Sequence, residues 1–219
     1  MRALALFTLG LALVATGPSV AQHVAPGAPP SGRVAQIVEQ QRGGGHVLVI
    51  RHERTEVPSR DDDYSRPAHD CSVQRNLSVA GLASARETGV SIGALGIPID
   101  RVITSPMCRG TDTARMMFGN EYQLDPRLMH HNPALADGLS RATESFREVL
   151  REIGGSADNI VLISHAGNIS TATGLRLVEG EIGVLKVDAD GQVTTVGQVH
   201  GSELGFPARA ALAASPVQP

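Results

Sequence analysis

The chain has no tryptophan, and aromatic residues make up only 3% of its 219 residues. That leaves no stacking platform for bases and argues against single-strand nucleic-acid readers built on one. Positive charge is not in excess either. Nineteen Lys and Arg stand against 22 Asp and Glu, a formal net charge of −3, so the basic footprint of a nucleic-acid binder is missing. Only two cysteines occur, Cys71 and Cys108, and no Cys-x-x-Cys spacing marks a zinc site. There is no internal repeat and no sign of a second domain.

The one long apolar run lies at the N-terminus. Met1-Arg2 is a minimal positive start, Ala3 to Ala15 is apolar except at Thr8 and Gly10, and Gly17-Pro18 breaks the run. Ser19-Val20-Ala21 then places small residues before Gln22. This is the form of a secretory signal peptide over residues 1–21, short for a membrane span. No cysteine follows to carry a lipid. The expectation is an exported, periplasmic protein with no stable membrane insertion after cleavage. Residues 22–32, rich in Pro, Gly and Ala, read as a flexible lead-in. Residues 33–205 are one domain, and 206–219 a disordered tail. In an oxidising compartment Cys71 and Cys108 are expected to pair, a crosslink worth about 3–4 kcal/mol in the chain-entropy view. Two free buried thiols, or a metal site with His69 and Asp70, are the alternatives.

Along the domain, helical and strand patterns alternate. Helices are expected over 34–42, 79–95, from Pro106 to about Phe118, over 139–153 and from about Asn168, with Ser78 as the N-cap of the second. Strands are expected over 46–51, 101–104, 159–164, 182–187 and 193–200, with Asp188-Ala189-Asp190-Gly191 as a hairpin turn. Such alternation predicts an α/β three-layer sandwich with a mostly parallel central sheet and helices on both faces.

Three basic clusters end three of the apolar runs: Arg51-His52 after Val47–Ile50, Thr104-Ser105-Pro106-Met107-Cys108-Arg109, and Ser164-His165-Ala166-Gly167-Asn168 after Ile160–Ile163. In open α/β sheets the ligand crevice lies at the carboxyl ends of the strands. Two histidines and two arginines converging there point to phosphoryl chemistry. Each has a plainer reading taken alone. Arg51 and His52 could pair with the acidic loop Asp61-Asp62-Asp63, His165 could be a core histidine bonded to backbone, and Arg109 could pair with Asp112. Convergence of all three clusters favours a site. His130-His131 reads as a solvated loop pair without the other ligands a metal needs.

Arg51-His52, Ser105 to Arg109 with Thr113-Ala114, and Ser164 to Asn168, together with Arg75-Asn76-Leu77-Ser78-Val79-Ala80-Gly81, resemble the signature segments of the histidine phosphatase superfamily. That fold is shared by phosphoglycerate mutases, acid phosphatases and phytases. The resemblance runs from about His46 to Ile169. Export, the cysteine pair and Glu179-Gly180-Glu181 resemble a small periplasmic bacterial subgroup.

The resemblance implies that His52 is the nucleophile, oriented by a backbone carbonyl, and forms a phosphohistidine that water hydrolyses. Arg51 and Arg109 would hold the phosphoryl oxygens. His165 would be a second, cationic ligand, and the amides of Ala166 and Gly167 would add donors. No metal or cofactor is implied; the partner is a phosphorylated small molecule.

Two positions depart from the family pattern. Glu53 stands where a glycine is usual, placed to crowd the nucleophile or to bring a carboxylate to the phosphate. Ala166 stands where acid phosphatases have the aspartate that protonates the leaving group. Glu181 and Asp137 are the candidate acids instead. The expected function is a periplasmic phosphatase acting on a phosphomonoester. The alternative is a catalytically impaired phosphate-binding or envelope-interaction protein on the same fold.

Overall fold

Successive residues of the first apolar strand face opposite ways, and each face builds its own core. In the computed structural model, which describes residues 32–57 and 62–205, Leu48 and Ile50 join one buried cluster, Val47 and Val49 the other. The expected leader, nearly all of the lead-in and the tail 206–219 lie outside the described residues.

The strands are β1 (Val47–Arg51), β2 (Arg101–Thr104), β3 (Gln123–Leu124), β4 (Ile160–Ser164), β5 (Glu181–Val187) and β6 (Val193–His200). They form one sheet in the order β3-β2-β4-β1-β5-β6. The first four in that order run parallel, and β5 and β6 add antiparallel at one edge. Helices α1 (Arg33–Arg42), α2 (Val79–Ala94) and α3 (Cys108–Phe118) cover one face. There Ile37, Ala85, Ile92 and Met117 pack on Leu48, Val161 and Val184. Helices α4 (Gly138–Ile153) and α5 (Ala166–Thr173) cover the other, with Phe146, Leu150 and Ile169 against Val49, Leu162 and Leu185. The chain is therefore the expected three-layer α/β sandwich with a mostly parallel sheet.

Register decides what meets at the carboxyl edge. Arg51 of β1 pairs with Ser164 of β4, and the His52 N–H donates to the Ser164 carbonyl at 3.1 Å. His52 and His165 are thus the first residues beyond two adjacent strands. Thr104 of β2 lies beside Ile163, and the Ser105 N–H donates to the Ile163 carbonyl at 3.0 Å, which brings the third cluster to the same edge.

Two local features differ from the sequence expectation. Helix α3 begins at Cys108 rather than Pro106, because Met107 is extended and its N–H donates to Ser105 Oγ. The first helical N–H, that of Cys108, donates at 3.0 Å to Gln74 Oε1 from the preceding loop. The unpatterned stretch after α3 holds the two-residue β3 and a 3-10 turn, Pro126–Leu128. Both are too short for periodicity to report.

Helix α2 starts where expected, with Ser78 Oγ accepting from Gly81 N at 3.0 Å. Gly81 allows the chain after β1 to lie against this helix: a Cβ there would sit 2.1 Å from the Arg54 carbonyl oxygen. The loop between them is clamped at its far end by a disulfide between Cys71 and Cys108, with Cα atoms 5.6 Å apart. This excludes the free thiols and the metal site with His69 and Asp70. The crosslink spans 37 residues, so replacing both cysteines by serine is expected to lower the unfolding free energy by about 4 kcal/mol. A denaturant titration measures this; a loss below about 1 kcal/mol would show that the loop stays in place without the bond.

Candidate active site

His52 and His165 face each other at the sheet edge with ring centroids 5.3 Å apart. Both are essentially buried. His52 Nδ1 lies 2.9 Å from the carbonyl oxygen of Glu53. A carbonyl only accepts, so Nδ1 carries the proton. Burial, and then the nearby Arg109, push the His52 pKa well below 6.5. The ring is therefore neutral, its Nε2 lone pair has no hydrogen-bond partner among the described residues, and it is held in the one tautomer that leaves Nε2 able to attack an electrophile.

The expectation of a cationic His165 is not met. Burial and then Arg109 depress its pKa well below the ordinary value. Arg109 Nε donates to His165 Nδ1 at 3.3 Å, and His165 Nε2 lies 2.9 Å from Ser105 Oγ. An acceptor at Nδ1 requires the neutral ring. The partners of His165 are side chains, not backbone as the plainer reading had it.

Arg109 is fully buried at the start of α3. All five of its N–H donors find acceptors. Nη1 donates to Asp62 Oδ1 at 2.9 Å and to the Arg75 carbonyl at 3.4 Å. Nη2 donates to Asp62 Oδ2 at 3.0 Å and to Met107 Sδ at 3.7 Å, and Nε serves His165. Asp112 pairs instead with Arg115.

Arg51 is held by the segment before β5: Nη1 donates to the Leu177 carbonyl at 3.1 Å, and Nη2 lies 3.6 Å from Glu179 Oε1. Its Nε is buried with no acceptor among the described residues. Arg75 is a third guanidinium at the site; its charge reaches Arg51, His52 and His165 and lowers the pKa of each. Its side chain forms no ion pair among the described residues. Ala166 and Gly167 form the first turn of α5 beside His165.

Glu53 does not crowd the nucleophile. Its fully buried carboxylate accepts from Ser84 Oγ at 2.9 Å and from Arg54 N at 3.3 Å. It lies against Gly180, where a Cβ would come within 2.7 Å of Glu53 Oε1. Gly180 also has φ +80°, and its N–H is shared between the Arg51 and His52 carbonyls at 3.2 Å each. A glycine is needed there on both counts.

Neither candidate acid is at this edge. Glu181 is turned to β6, accepting from Gln198 Nε2 and from Val178 N, both at 2.9 Å. Asp137 is exposed at the start of α4 and pairs with Arg141 at 2.7 Å. Among the described residues the carboxylates that do reach the site are Asp62 and Glu179.

His130 is no solvated loop residue. Its ring meets His165 edge-on at 5.4 Å and stacks on Tyr64, whose hydroxyl bonds His130 Nδ1. Burial, then His131, lower its pKa to about 4. Tyr64 is pushed up to about 12 by burial and by Asp62. A separate groove of about 400 Å³ between α4 and the β5–β6 turn, lined by Arg147, Arg151, Asp190 and Gln192, holds none of these groups. Among the described residues no cluster of three or more His, Cys, Asp or Glu is placed to hold a metal. No described helix is long and apolar enough to cross a membrane.

Asp62, Tyr64, Arg75, His130 and Glu179 were not read from the sequence as site residues. Of these, Arg75 and Glu179 stand in segments that carry the resemblance and Asp62 in the acidic loop, but none of those signals assigns the residue to the site.

No protein-family model matches the sequence, and no curated protein does. Solved structures share its fold. The protein histidine phosphatase SixA, in complex with tungstate, aligns with a TM-score of 0.52 at 17% identity, over 73% of this chain and 99% of that one. A phosphoserine phosphatase from Entamoeba histolytica, in complex with 3-phosphoglyceric acid, aligns at 0.55 and 16%, over 73% and 98%. Mycobacterial hydrolase 1 aligns at 0.54 and 16%, over 72% and 98%.

Folding lowers the proton affinity of His52, His130 and His165, so the unfolded chain binds more protons at these positions and acid favours unfolding. Their contribution is full above pH 6.5 and is lost as pH falls from 6.5 towards the His130 value of about 4. The urea midpoint is expected to drop across that window, and less steeply in His130→Gln. Equal slopes in the two proteins would contradict the neutral, buried His130.

Proposed function

We propose that this chain, which shares the fold of the histidine phosphatases, hydrolyses phosphomonoesters through a phosphohistidine on His52. The observation that carries the reading is His52 itself: Nδ1–H is fixed on the Glu53 carbonyl, and Nε2 is unprotonated and without a partner among the described residues. Around it stand Arg51, Arg75 and Arg109. Forked guanidinium donors stabilise the charge on the nonbridging oxygens as phosphorus passes from oxygen to nitrogen. The unpartnered Arg51 Nε is a donor ready for one of them.

In the first step Nε2 attacks phosphorus, the ester P–O bond breaks, and its electron pair leaves with the alkoxide oxygen. In the second, water attacks the phosphohistidine and the P–N pair returns to Nε2. Ser105 holds the His165 Nε2–H, while Arg109 donates to its Nδ1, so His165 stays neutral and orders Arg109 instead of adding a charge. The disulfide and the apolar leader support an exported, periplasmic setting. The substrate is a small or surface-exposed phosphomonoester, in keeping with the phosphatases that share the fold.

A second reading rests on two observations: Asp62 occupies both Nη groups of Arg109, and position 166 is an alanine, which offers no acid. On that reading the protein binds phosphate without turning it over.

Mass spectrometry of the intact mature protein, quenched without acid after exposure to para-nitrophenyl phosphate, separates the two. An acid-labile phosphoryl adduct on His52 is expected, and in His52→Ala both the adduct and the turnover should vanish, the latter by several orders of magnitude. Glu181→Gln and Asp137→Asn, which lie away from the pocket, are expected to keep turnover within about twofold. Phosphate binding with no adduct and no released phosphate from pH 4 to 8 would sink the enzyme reading and leave the binding protein.

A further inference from the structure

Resting on the phosphatase reading above, we propose that Asp62 is the catalytic carboxyl that protonates the leaving group. It is parked on Arg109 until the phosphoryl group displaces it.

The Asp62 carboxylate lies in the plane of the Arg109 fork, one oxygen on each Nη, at 2.9 and 3.0 Å. The Arg75 N–H donates to its Oδ1 at 2.9 Å. A carboxylate and two nonbridging phosphoryl oxygens make the same bidentate pattern on a guanidinium. Because every Arg109 donor is already engaged, a phosphoryl group that binds Arg109 must take the places of the Asp62 oxygens. The displaced side chain hangs from held backbone: the Asp63 N–H donates to the Val73 carbonyl at 3.0 Å, and Val73 lies between Cys71, disulfide-bonded to the start of α3, and Gln74, whose Oε1 accepts from Cys108 N. It therefore remains at the mouth of the pocket, beside the incoming ester.

Charge then dictates its protonation. Arg51, Arg75 and Arg109 carry three positive charges among the described residues of the site, and Glu179 and Asp62 two negative ones. Once a phosphoryl dianion is bound, the three guanidiniums are balanced by Glu179 and the dianion. An ionised Asp62 would be a surplus negative charge at contact distance from the dianion, which favours the protonated carboxyl. No other carboxylate of the site is released by the binding event, since Glu179 keeps Arg51 and Thr55.

The protons balance over the cycle. Asp62 takes one proton from solvent on leaving the fork. As the P–O bond breaks, the carboxyl hands that proton to the departing oxygen, giving the alcohol. The resulting carboxylate takes a proton from the water that attacks the phosphohistidine; the other hydrogen stays on the phosphate. On phosphate release Asp62 returns its proton to solvent and re-enters the fork.

The test is Asp62→Asn, which keeps size and shape but neither charge nor acid. Tungstate should bind about tenfold or more tightly to the variant, since a charged hydrogen-bonding partner of Arg109 need no longer be broken. The rate of His52 adduct formation from glycerol phosphate, whose alkoxide must be protonated, should fall by about 10²–10⁴-fold, the worth of general acid catalysis. Adduct formation from para-nitrophenyl phosphate, whose leaving group needs no proton, should fall far less, whereas hydrolysis of the adduct, the step common to both, slows equally. The ratio of the two formation rates is read within one sample, so it is independent of the folded fraction. Equal losses on both substrates, or unchanged tungstate affinity, would overturn the inference. So would a wild-type protein that turns over para-nitrophenyl phosphate but not glycerol phosphate. A wild-type protein that forms no His52 adduct would overturn the phosphatase reading itself.

Discussion

A fully buried guanidinium is the constraint on which this edge of the molecule depends. Moving a charge of that size out of water costs several kcal/mol unless its donors are satisfied and a counter-charge is near. Arg109 meets both conditions only because four separate pieces of chain converge on it: the loop after β1 with Asp62, the stretch before α2 with the Arg75 carbonyl, Met107 ahead of α3, and His165 ahead of α5. The order of that loop follows from the same demand. Gln74 caps α3, and the Cys71–Cys108 bond fixes the loop to the helix that carries Arg109. Packing of the sheet places the strands; the arginine places the irregular segments between them.

Burial, with the cations adding to it, sets the state of the histidines. His52, His130 and His165 lie close together among guanidiniums, and desolvation is the first cause of the lowered proton affinity of each. For a nucleophile this has a direct use. A protonated imidazole has no free ring-nitrogen lone pair, and a neutral ring free to change tautomer has it at the wrong nitrogen part of the time. Burial removes the first difficulty and the Glu53 carbonyl the second.

The regular part of the fold was legible because period reports facing. Val47, Val49, Leu48 and Ile50 alternate, and the structure divides them between two cores as alternation requires. Four site residues, Arg51, His52, Arg109 and His165, were legible for a related reason, since each adjoins a strand end and strand ends meet in a parallel sheet. The others sit on loops, where no period exists. The plainer reading of the sequence offers the acidic run before Tyr64 to Arg51 and His52; Asp62 in fact pairs with Arg109, 47 residues along the chain. Glu179 and Glu181 would share a face if the strand alternated through them. Gly180 at φ +80° breaks that alternation, so Glu179 meets Arg51 and Glu181 meets Gln198.

The glutamate at position 53 shows how a carboxylate beside His52 is absorbed by the fold. A carboxylate directly after His52 could have claimed one of the pocket arginines and removed the free donors a phosphoryl group needs. Its carboxylate is satisfied instead by Ser84 Oγ and the Arg54 N–H, both uncharged, on the side of Gly180 that has no Cβ. The arginines are left to Asp62 and Glu179, which approach from opposite flanks: one from the loop after β1, the other from the segment leading into β5. Glu179 leaves the Arg51 Nε without an acceptor, whereas Asp62 leaves no donor of Arg109 without one. The two carboxylates are therefore unequal. The first can stay in place when an oxyanion binds, and the second must move.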